Sequence, residues 1–310
     1  MGKVVITGGC GFIGSNLVEE LLKLGFEVVV LDNLTTGKME NVKGLGCKVV
    51  KADIRNLNVL KDTFIDTECV FHQAALPSVV RSISNPTLTN DVNVTGTLNV
   101  LIASRDCDVD KVIYASSSSV YGDTPILPKR EDMKPNPKSP YAVSKLAGEY
   151  YCRVFSEVYG LKTVCLRYFN VYGPRQDPFS EYAAVIPRFI IRILNKKPPI
   201  IFGDGNQTRD FTFVKDVVKA NILAMEKNVE GVFNIATGKR VSINELANLI
   251  MEITGVKLEP IYDKPRPGDV RHSLADISLA MEKLGYKPEY DLRRGLEVTI
   301  RWFSKNLRRS

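Results

Sequence analysis

The sequence has few residues that could hold a metal ion. It contains two histidines, His72 and His272, and six cysteines, no two of which have Cys-x-x-Cys spacing. Structural zinc sites are built from clusters of these residues, so we expect no metal. Isolated cysteines without a disulfide framework are typical of small buried residues in a reducing compartment, which predicts a cytoplasmic protein.

Long apolar runs and long basic runs are also missing. No window approaches the roughly 18 uncharged apolar residues of a membrane span, and Val4-Val5-Ile6 is too short for the core of a signal peptide. Lys and Arg outnumber Asp and Glu by 42 to 35, but the positive charges are scattered. We therefore expect neither a membrane nor a nucleic acid as partner, and the modest positive excess suits an anionic phosphate substrate.

A glycine-rich stretch near the start, Thr7-Gly8-Gly9-Cys10-Gly11-Phe12-Ile13-Gly14, is the strongest feature that the sequence does contain. It follows a short buried-strand pattern and precedes apolar residues at helical spacing, so it predicts a strand-to-helix turn. At such a turn, free backbone N–H groups and the positive end of a helix dipole can meet a pyrophosphate. The spacing differs by one residue from the common dinucleotide fingerprint, and a glycine-rich turn without a ligand is the alternative interpretation.

Several strand patterns follow and alternate with helical stretches. The strand ending at Asp32 places an acid 18 residues after Gly14, close to the interval at which an acid meets the adenosine ribose. A carboxylate there would repel a 2′-phosphate, so NAD is favoured over NADP. Further strands end at Asp53 and near Ala75, and His72 in the latter is expected to have a packing role. This alternation predicts an α/β fold with a doubly wound, Rossmann-like parallel sheet and a smaller C-terminal α/β substrate-binding region.

A tyrosine and a lysine on one helix are the candidates for proton chemistry. Tyr141 and Lys145 are four residues apart on a predicted helix that ends near Tyr159, so they share one face. A phenol is a poor base at neutral pH, and a nearby ammonium would lower its pKa. The serine-rich turn Ser116-Ser117-Ser118-Ser119 at the end of the preceding strand supplies a third polar group.

The glycine loop, the serine turn and the Tyr-x-x-x-Lys helix, in this order, resemble the extended short-chain dehydrogenase/reductase family. The resemblance covers essentially the whole chain and is strongest to UDP-glucose (UDP-galactose) and UDP-N-acetylglucosamine 4-epimerases. It implies NAD as cofactor and a catalytic triad in which Tyr141 is the base, Lys145 holds the nicotinamide ribose and tunes Tyr141, and Ser117 bonds the reacting hydroxyl. Ser117 is chosen by aligning Val120-Tyr121-Gly122, and Ser116 and Ser118 remain possible. The NAD-binding residues that the resemblance implies are Gly8, Gly11, Phe12, Ile13, Gly14, Asp32, Asn33, Asp53, Ile54, Ala74, Asn93, Tyr141 and Lys145.

The same resemblance divides the chain into an NAD-binding domain, 1–170, and a UDP-sugar-binding region, 171–310, with a chain crossover between them. It implies that Asn170 contacts the substrate phosphates, that Arg209 and Arg266 grip the diphosphate, and that Asp269 meets the uridine ribose. Guanidinium groups pair well with phosphate oxygens, which agrees with these roles.

The implied activity is 4-epimerisation of a UDP-hexose through transient oxidation at C4. The serine turn lacks the Asp-Glu pair of 4,6-dehydratases, so a dehydratase is a weak alternative and a UDP-glucuronate 4-epimerase a nearer one. A non-catalytic NAD-binding protein is the remote alternative, since such relatives usually lose the Tyr or the Lys.

Two further expectations concern substrate range and assembly. Ser273 aligns with a bulky tyrosine of glucose-only epimerases, and Ala184 replaces an asparagine, so the pocket is expected to admit a 2-acetamido group. The alternative is that Ser273 only fills a turn. Family members commonly dimerise through two helices per subunit, here around 91–104 and 141–159, which predicts a homodimer.

Overall fold

The computed structural model describes residues 2–178, 184–265 and 270–307. Its strands are β1 Lys3–Thr7, β2 Glu27–Asp32, β3 Lys48–Lys51, β4 Thr67–His72, β5 Lys111–Ser117, β6 Lys162–Tyr168, β7 Val171–Tyr172, β8 Ile200–Phe202, β9 Thr208–Arg209, β10 Thr212–Phe213, β11 Gly231–Ile235, β12 Val241–Ser242 and β13 Ile261–Asp263. Seven of them form one parallel sheet in the order β11-β6-β5-β4-β1-β2-β3. The order 3-2-1-4-5-6 is that of doubly wound nucleotide-binding sheets, so the predicted Rossmann-like fold is confirmed.

The helices of the described residues lie mainly between consecutive strands. They are α1 Phe12–Lys23, α2 Leu57–Phe64, α3 Val79–Ser84, α4 Pro86–Asn90, α5 Gly96–Asp106, α6 Pro140–Tyr159, α7 Val185–Leu194, α8 Val214–Glu226, α9 Ile243–Thr254, α10 Ser278–Leu284 and α11 Leu292–Leu307. A π-helical turn, Asp91–Thr95, joins α4 to α5, and single 3-10 turns cover Met39–Asn41 and Ser118–Tyr121.

The large sheet is covered by helices on both faces, as its unbroken apolar strands predict. Side chains along a strand point alternately to opposite faces. Val4 and Ile6 of β1 therefore pack in the core layer that contains α1 and α8, whereas Val5 packs in the layer of α2, α5 and α6.

A second region packs around its own apolar cluster. Helices α7, α9 and α11 bring together Ile190, Ile193, Leu246, Ile250 and Phe303. The short strands pair as β10-β7, β12-β9 and β13-β8. The chain enters this region after β6, returns to the large sheet at β11 and then leaves it again. The division into 1–170 and 171–310 with a crossover stays a prediction.

Two predicted helices differ in detail from the structure. The helix predicted over 91–104 begins earlier, at α4, and contains the π-helical turn, which an apolar period of 3.6 residues does not reveal. Residues 182–194 are likewise expected to form a helix, and within the described residues this helix covers Val185–Leu194. A capping box begins α9, since Ser242 and Glu245 exchange hydrogen bonds at the start of this helix.

All six cysteines are free thiols. Within 2–178, 184–265 and 270–307, we find no group of His, Cys, Asp or Glu that could hold a metal ion. Over the same residues, none of the helices has the length and apolar character that crossing a membrane requires.

Candidate active site

The glycine loop forms a tight turn between β1 and α1. Gly8 has a φ of +70°, and a Cβ there would lie 2.7 Å from the backbone of Ala74 at the end of β4. A Cβ at Gly14 would lie 2.3 Å from the carbonyl oxygen of Gly8. Both positions therefore require glycine, and the backbone of the loop is free of side chains on this side.

The start of α1 is arranged to receive an anion. Gly11 is the N-cap residue, and no described side chain caps it. The first turn carries no acidic residue, so its N–H groups and the helix dipole face the loop without competition. Phe12 and Ile13 supply this first turn. The glycine positions and the uncapped helix start are what a dinucleotide pyrophosphate requires, so the residues present fit NAD.

Asp32 lies beside this loop at the end of β2, with its side chain almost fully buried. One carboxylate oxygen accepts a hydrogen bond from the Cys10 N–H at 3.0 Å and the other from the Leu34 N–H at 2.8 Å. Burial raises the pKa of Asp32, and these two hydrogen bonds act in the opposite direction. The carboxylate is thus placed at the edge of the loop where a ribose would lie.

The end of β3 carries the next predicted cofactor residues. Asn33 donates to the Asp53 carboxylate at 2.8 Å, and Arg55 pairs with Asp53 at 2.9 Å. Arg55 lowers the pKa of Asp53 to about 2. Ile54 is buried against Gly96 of α5. Asp53 and Arg55 line one groove together with residues at the start of α2 and in the π-helical turn.

Two buried polar side chains organise the end of β4. His72 contacts the Thr7 hydroxyl at 2.7 Å through Nδ1 and the Thr97 hydroxyl at 2.9 Å through Nε2. Burial lowers the pKa of His72 to about 3, so the ring is neutral; its position between two hydroxyls agrees with a role in packing and hydrogen bonding. Asn93 in the π-helical turn bonds the Leu76 backbone and donates to Ser144 of α6 at 3.0 Å.

The serine turn and α6 bring the three proposed catalytic side chains together. Ser139 caps α6, accepting from the Ala142 N–H at 3.2 Å, so Tyr141 lies in the first turn of the helix. Ser117 ends β5, and its hydroxyl lies close enough to the Tyr141 phenol to act on the pKa of that phenol. Lys145, one turn further, donates to the Ala115 carbonyl at 2.8 Å.

Burial shifts the proton equilibria of this cluster. It raises the pKa of Tyr141, while the hydrogen bond with Ser117 acts to lower it. It lowers the pKa of Lys145 to about 8. The helix spacing suggested that the Lys145 ammonium acts on Tyr141, but here it faces the Ala115 carbonyl and the Tyr114 ring, 5.0 Å from the ring centre.

The geometry also distinguishes Ser116 from Ser117 as candidates for the catalytic serine. The Ser116 hydroxyl donates to the Glu149 carboxylate and so is engaged away from Tyr141. Ser117 contacts Tyr141 and accepts from the Ser119 N–H at 3.2 Å. Ser117 is therefore the better candidate, although its catalytic role stays a prediction.

The proposed substrate residues fall on neighbouring segments beyond β6. Asn170 has a φ of +33° and donates to the Asp210 carbonyl at 3.1 Å. Arg209 ends β9, and the Ser273 N–H donates to the carbonyl of the adjoining Thr208 at 3.0 Å. Arg209 and Ser273 therefore lie on segments that run side by side. Arg266 and Asp269 lie outside the described residues.

Sequence reasoning missed two features near the site. Segment 174–177 crosses α1, where Asn16 donates to the Pro174 carbonyl at 3.1 Å and Arg175 pairs with Glu19. Behind the serine turn, Glu149 and Arg167 form a buried ion pair. The four-residue step from Lys145 to Glu149 was the only signal of the second feature, and such steps are common on helices.

The sheet order, the glycine loop and the Tyr–Lys helix define a dinucleotide-binding enzyme of the Rossmann type. Comparison with known proteins is more specific: the model of the NAD dependent epimerase/dehydratase family matches residues 4–236. The chain belongs to this family.

Individual relatives match over nearly their whole length. A putative UDP-glucose 4-epimerase of Methanocaldococcus jannaschii is 47% identical over 98% of this chain and 99% of the relative. A UDP-glucuronate 4-epimerase of Thermodesulfobacterium geofontis is 36% identical over 99% of this chain and 98% of the relative.

Solved structures are also similar to this chain over nearly their whole length. The UDP-N-acetylglucosamine 4-epimerase of Methanobrevibacter ruminantium, in complex with UDP-N-acetylmuramic acid, has a TM-score of 0.95 and 44% identity, covering 98% of this chain and 99% of the other. The UDP-glucose 4-epimerase of Thermotoga maritima with UDP-glucose has a TM-score of 0.96 and 42% identity, with the same coverage. The predicted family, the isomerase class and NAD as cofactor are confirmed.

Proposed function

We propose that this chain interconverts UDP-glucose and UDP-galactose, and also their 2-acetamido counterparts, as an NAD-dependent 4-epimerase. The observation that carries the proposal is the contact between Tyr141 and Ser117 at the end of β5, with Lys145 one helical turn away. A phenol and a hydroxyl group that lie side by side at the end of the sheet that carries the glycine loop support this proposal.

Each residue then has a defined task. When bound, NAD supplies the hydride acceptor that oxidises C4 of the sugar and later returns the hydride. Tyr141 takes the proton of the 4-hydroxyl and gives it back after the sugar has turned over in the site. Ser117 bonds the same hydroxyl and keeps it directed at Tyr141. Lys145, one helical turn from Tyr141, holds the nicotinamide ribose of the bound cofactor. Asn170 and Arg209 hold the diphosphate, with Arg266 and Asp269 completing the nucleotide site.

The substrate range is proposed from two small side chains. Ser273 lies beside the segment of Arg209, and Ala184 is the N-cap of α7. Neither side chain extends far, so space remains for a 2-acetamido group. The similarity to the M. ruminantium UDP-N-acetylglucosamine 4-epimerase supports this breadth.

UDP-glucuronate is the second candidate substrate. The serine-rich turn is compatible with it, and the T. geofontis relative is a UDP-glucuronate 4-epimerase. A dehydratase is less well supported because the turn has no Asp-Glu pair. A non-catalytic role is disfavoured because Tyr141 and Lys145 are both present and lie at the expected helix start.

An exposed apolar stripe on α6 supports a homodimer. Val143, Tyr150, Val154 and Val158 are each more than two fifths exposed and recur on one helix face. Large apolar stripes of this kind mark protein interfaces. Tyr150→Glu is expected to convert the dimer to a monomer in light scattering, and an unchanged mass would contradict this interface.

The test is conversion of UDP-galactose, UDP-N-acetylgalactosamine and UDP-glucuronate, each alone, by purified protein without added reductant. Turnover of the first two supports the proposal and its open pocket. Turnover of UDP-galactose alone retains the mechanism and refutes the pocket argument. Turnover of UDP-glucuronate alone would make it the substrate and refute the proposed sugars.

A further inference from the structure

A buried polar cluster of Ser116, Glu149 and Arg167 lies directly behind the serine turn. Arg167 on β6 grips Glu149 on α6 with two hydrogen bonds, Nε to Oε1 at 2.8 Å and Nη2 to Oε2 at 2.7 Å. Each of the two side chains is only 4% exposed. The hydroxyl of Ser116 on β5 donates to the same carboxylate. One carboxylate therefore ties together the helix and the two strands that surround the proposed triad.

A contribution to stability does not by itself explain the buried ion pair of Glu149 and Arg167. Removing two charges from water is costly, and apolar residues of similar volume are often at least as stabilising. A two-pronged pair differs from apolar packing because it fixes direction as well as distance. Here it fixes the position of α6 relative to β5 and β6.

The position of α6 matters because Glu149 lies one helical turn from Lys145, and Ser116 lies next to Ser117 in the chain. Tyr141, Lys145 and Glu149 follow one another at four-residue steps, so they lie along one face of α6. Ser116 precedes Ser117 on β5, so a bond that holds Ser116 also holds the peptide that carries Ser117.

We propose that Glu149 is a positioning residue: clamped by Arg167, its carboxylate holds Ser116 and so fixes Ser117 on β5 against the face of α6 that carries Tyr141 and Lys145. The inference rests on the proposed function, which assigns the triad.

Charge supports the same role. Burial lowers the pKa of Lys145 to about 8, and the neighbouring Cys152 and, to a lesser degree, Glu149 oppose that shift. The other titratable and charged groups around this cluster are Tyr141 and Cys152 on α6, Tyr114 on β5, His72 on β4, Arg167 and Cys165 on β6, and Tyr121 and Glu131 beside Arg167. His72 is neutral, and Glu149 is the carboxylate of this set that acts on Lys145.

The first test uses Glu149→Gln, which keeps the side-chain shape and removes the charge. We expect kcat on UDP-galactose to fall by roughly tenfold to a hundredfold with KM changed by less than about twofold. The alkaline limb of the kcat–pH profile should move to lower pH, because the Lys145 ammonium loses a favourable charge. Glu157→Gln is the matched control, since Glu157 on the same helix is 64% exposed and should leave kcat unchanged.

Two more variants separate positioning from folding. Glu149→Gln with Arg167→Met leaves no buried charge unpaired, so thermal stability should recover while kcat stays low and the alkaline limb stays shifted. Recovery of kcat together with thermal stability would overturn the proposal, since the role of Glu149 would then be only to neutralise Arg167. Ser116→Ala unpairs no charge, so it should lower kcat severalfold without changing the melting temperature. An unchanged kcat in Ser116→Ala would likewise count against the proposal.

A last measurement does not depend on the substrate. Nuclear magnetic resonance of ¹³C-labelled lysine, assigned with Lys145→Met, reports the pKa of Lys145 directly. Glu149→Gln should lower it, and an unchanged value would refute the charge argument even in a chain that turns over no UDP-sugar. Wild-type protein that is inactive on every sugar, with this shift present, would refute the proposed function and leave the positioning role intact.

Discussion

The buried His72 should make the protein lose stability in mild acid. Its ring is 1% exposed and lies between the hydroxyls of Thr7 and Thr97. Burial, and to a lesser degree the charge of Lys145, lowers its pKa from 6.5 to about 3. The folded state therefore prefers the neutral ring. The stabilisation that this group gives is fully present above the unfolded pKa of 6.5 and is lost progressively as the pH falls toward about 3.

The size of the effect follows from this difference in pKa. At about 1.4 kcal/mol per pKa unit, linkage gives a loss of about 2 kcal/mol between roughly pH 8 and pH 5. Carboxylates also titrate in this range, so the wild-type curve alone does not isolate His72. His72→Gln removes the titrating ring, so the gap in unfolding free energy between wild type and variant should shrink by about 2 kcal/mol over that interval.

Urea unfolding followed by fluorescence at roughly pH 8 and pH 5 measures this gap. His272→Gln is the matched control, because that ring is only partly buried and should give a smaller change. A gap between wild type and His72→Gln that is the same at both pH values would refute the reasoning.

Three further outcomes follow from the site and its support. Gly14→Ala should reduce the NAD that copurifies far more than Gly11→Ala does. The new Cβ would lie 2.3 Å from the Gly8 carbonyl oxygen at position 14 but 3.1 Å from it at position 11. The absorbance of the released cofactor measures the loss, and equal losses in the two variants would contradict this expectation. Tyr141→Phe should lower kcat at least about a hundredfold while NAD is retained. A protein that only binds NAD would show no such difference between the effect on turnover and the effect on cofactor binding. Lys111→Met should cost about 1–3 kcal/mol in urea unfolding, because the Lys111 ammonium donates to three carbonyls at the end of α8; a cost near zero would mean that desolvation cancels these bonds.

The sequence was sufficient to predict those parts of the candidate site that depend on residues close together in the chain. Glycines at a strand-to-helix turn, an acid at the end of β2 and a Tyr-x-x-x-Lys step on a helix all depend on neighbours within a few turns. Their spacing therefore predicted the fold class and the cofactor. The structure adds the physical reason for Gly8 and Gly14, which is the close approach of Ala74 and of the loop itself.

Contacts between distant residues were not predictable in this way. Glu149 and Arg167 are 18 residues apart and meet only once α6 has packed on β6. The direction of the Lys145 ammonium depends on the Ala115 carbonyl of another element, so helix spacing alone gave an incomplete account of the Tyr141 pKa. The π-helical turn at Asp91–Thr95 leaves the apolar stripe nearly intact, so periodicity misses it.

The place of β11 in the large sheet has a consequence for how the protein is made. β11 covers the edge of β6, and it comes more than sixty residues later in the chain, at Gly231–Ile235. Helix α8, which covers one face of the same sheet, also follows β6. A ribosome that has released only the first 170 residues has therefore exposed a sheet with an open apolar edge and a partly bare face. Such edges pair readily with other chains, so the nascent protein is vulnerable to aggregation until residue 235 has emerged.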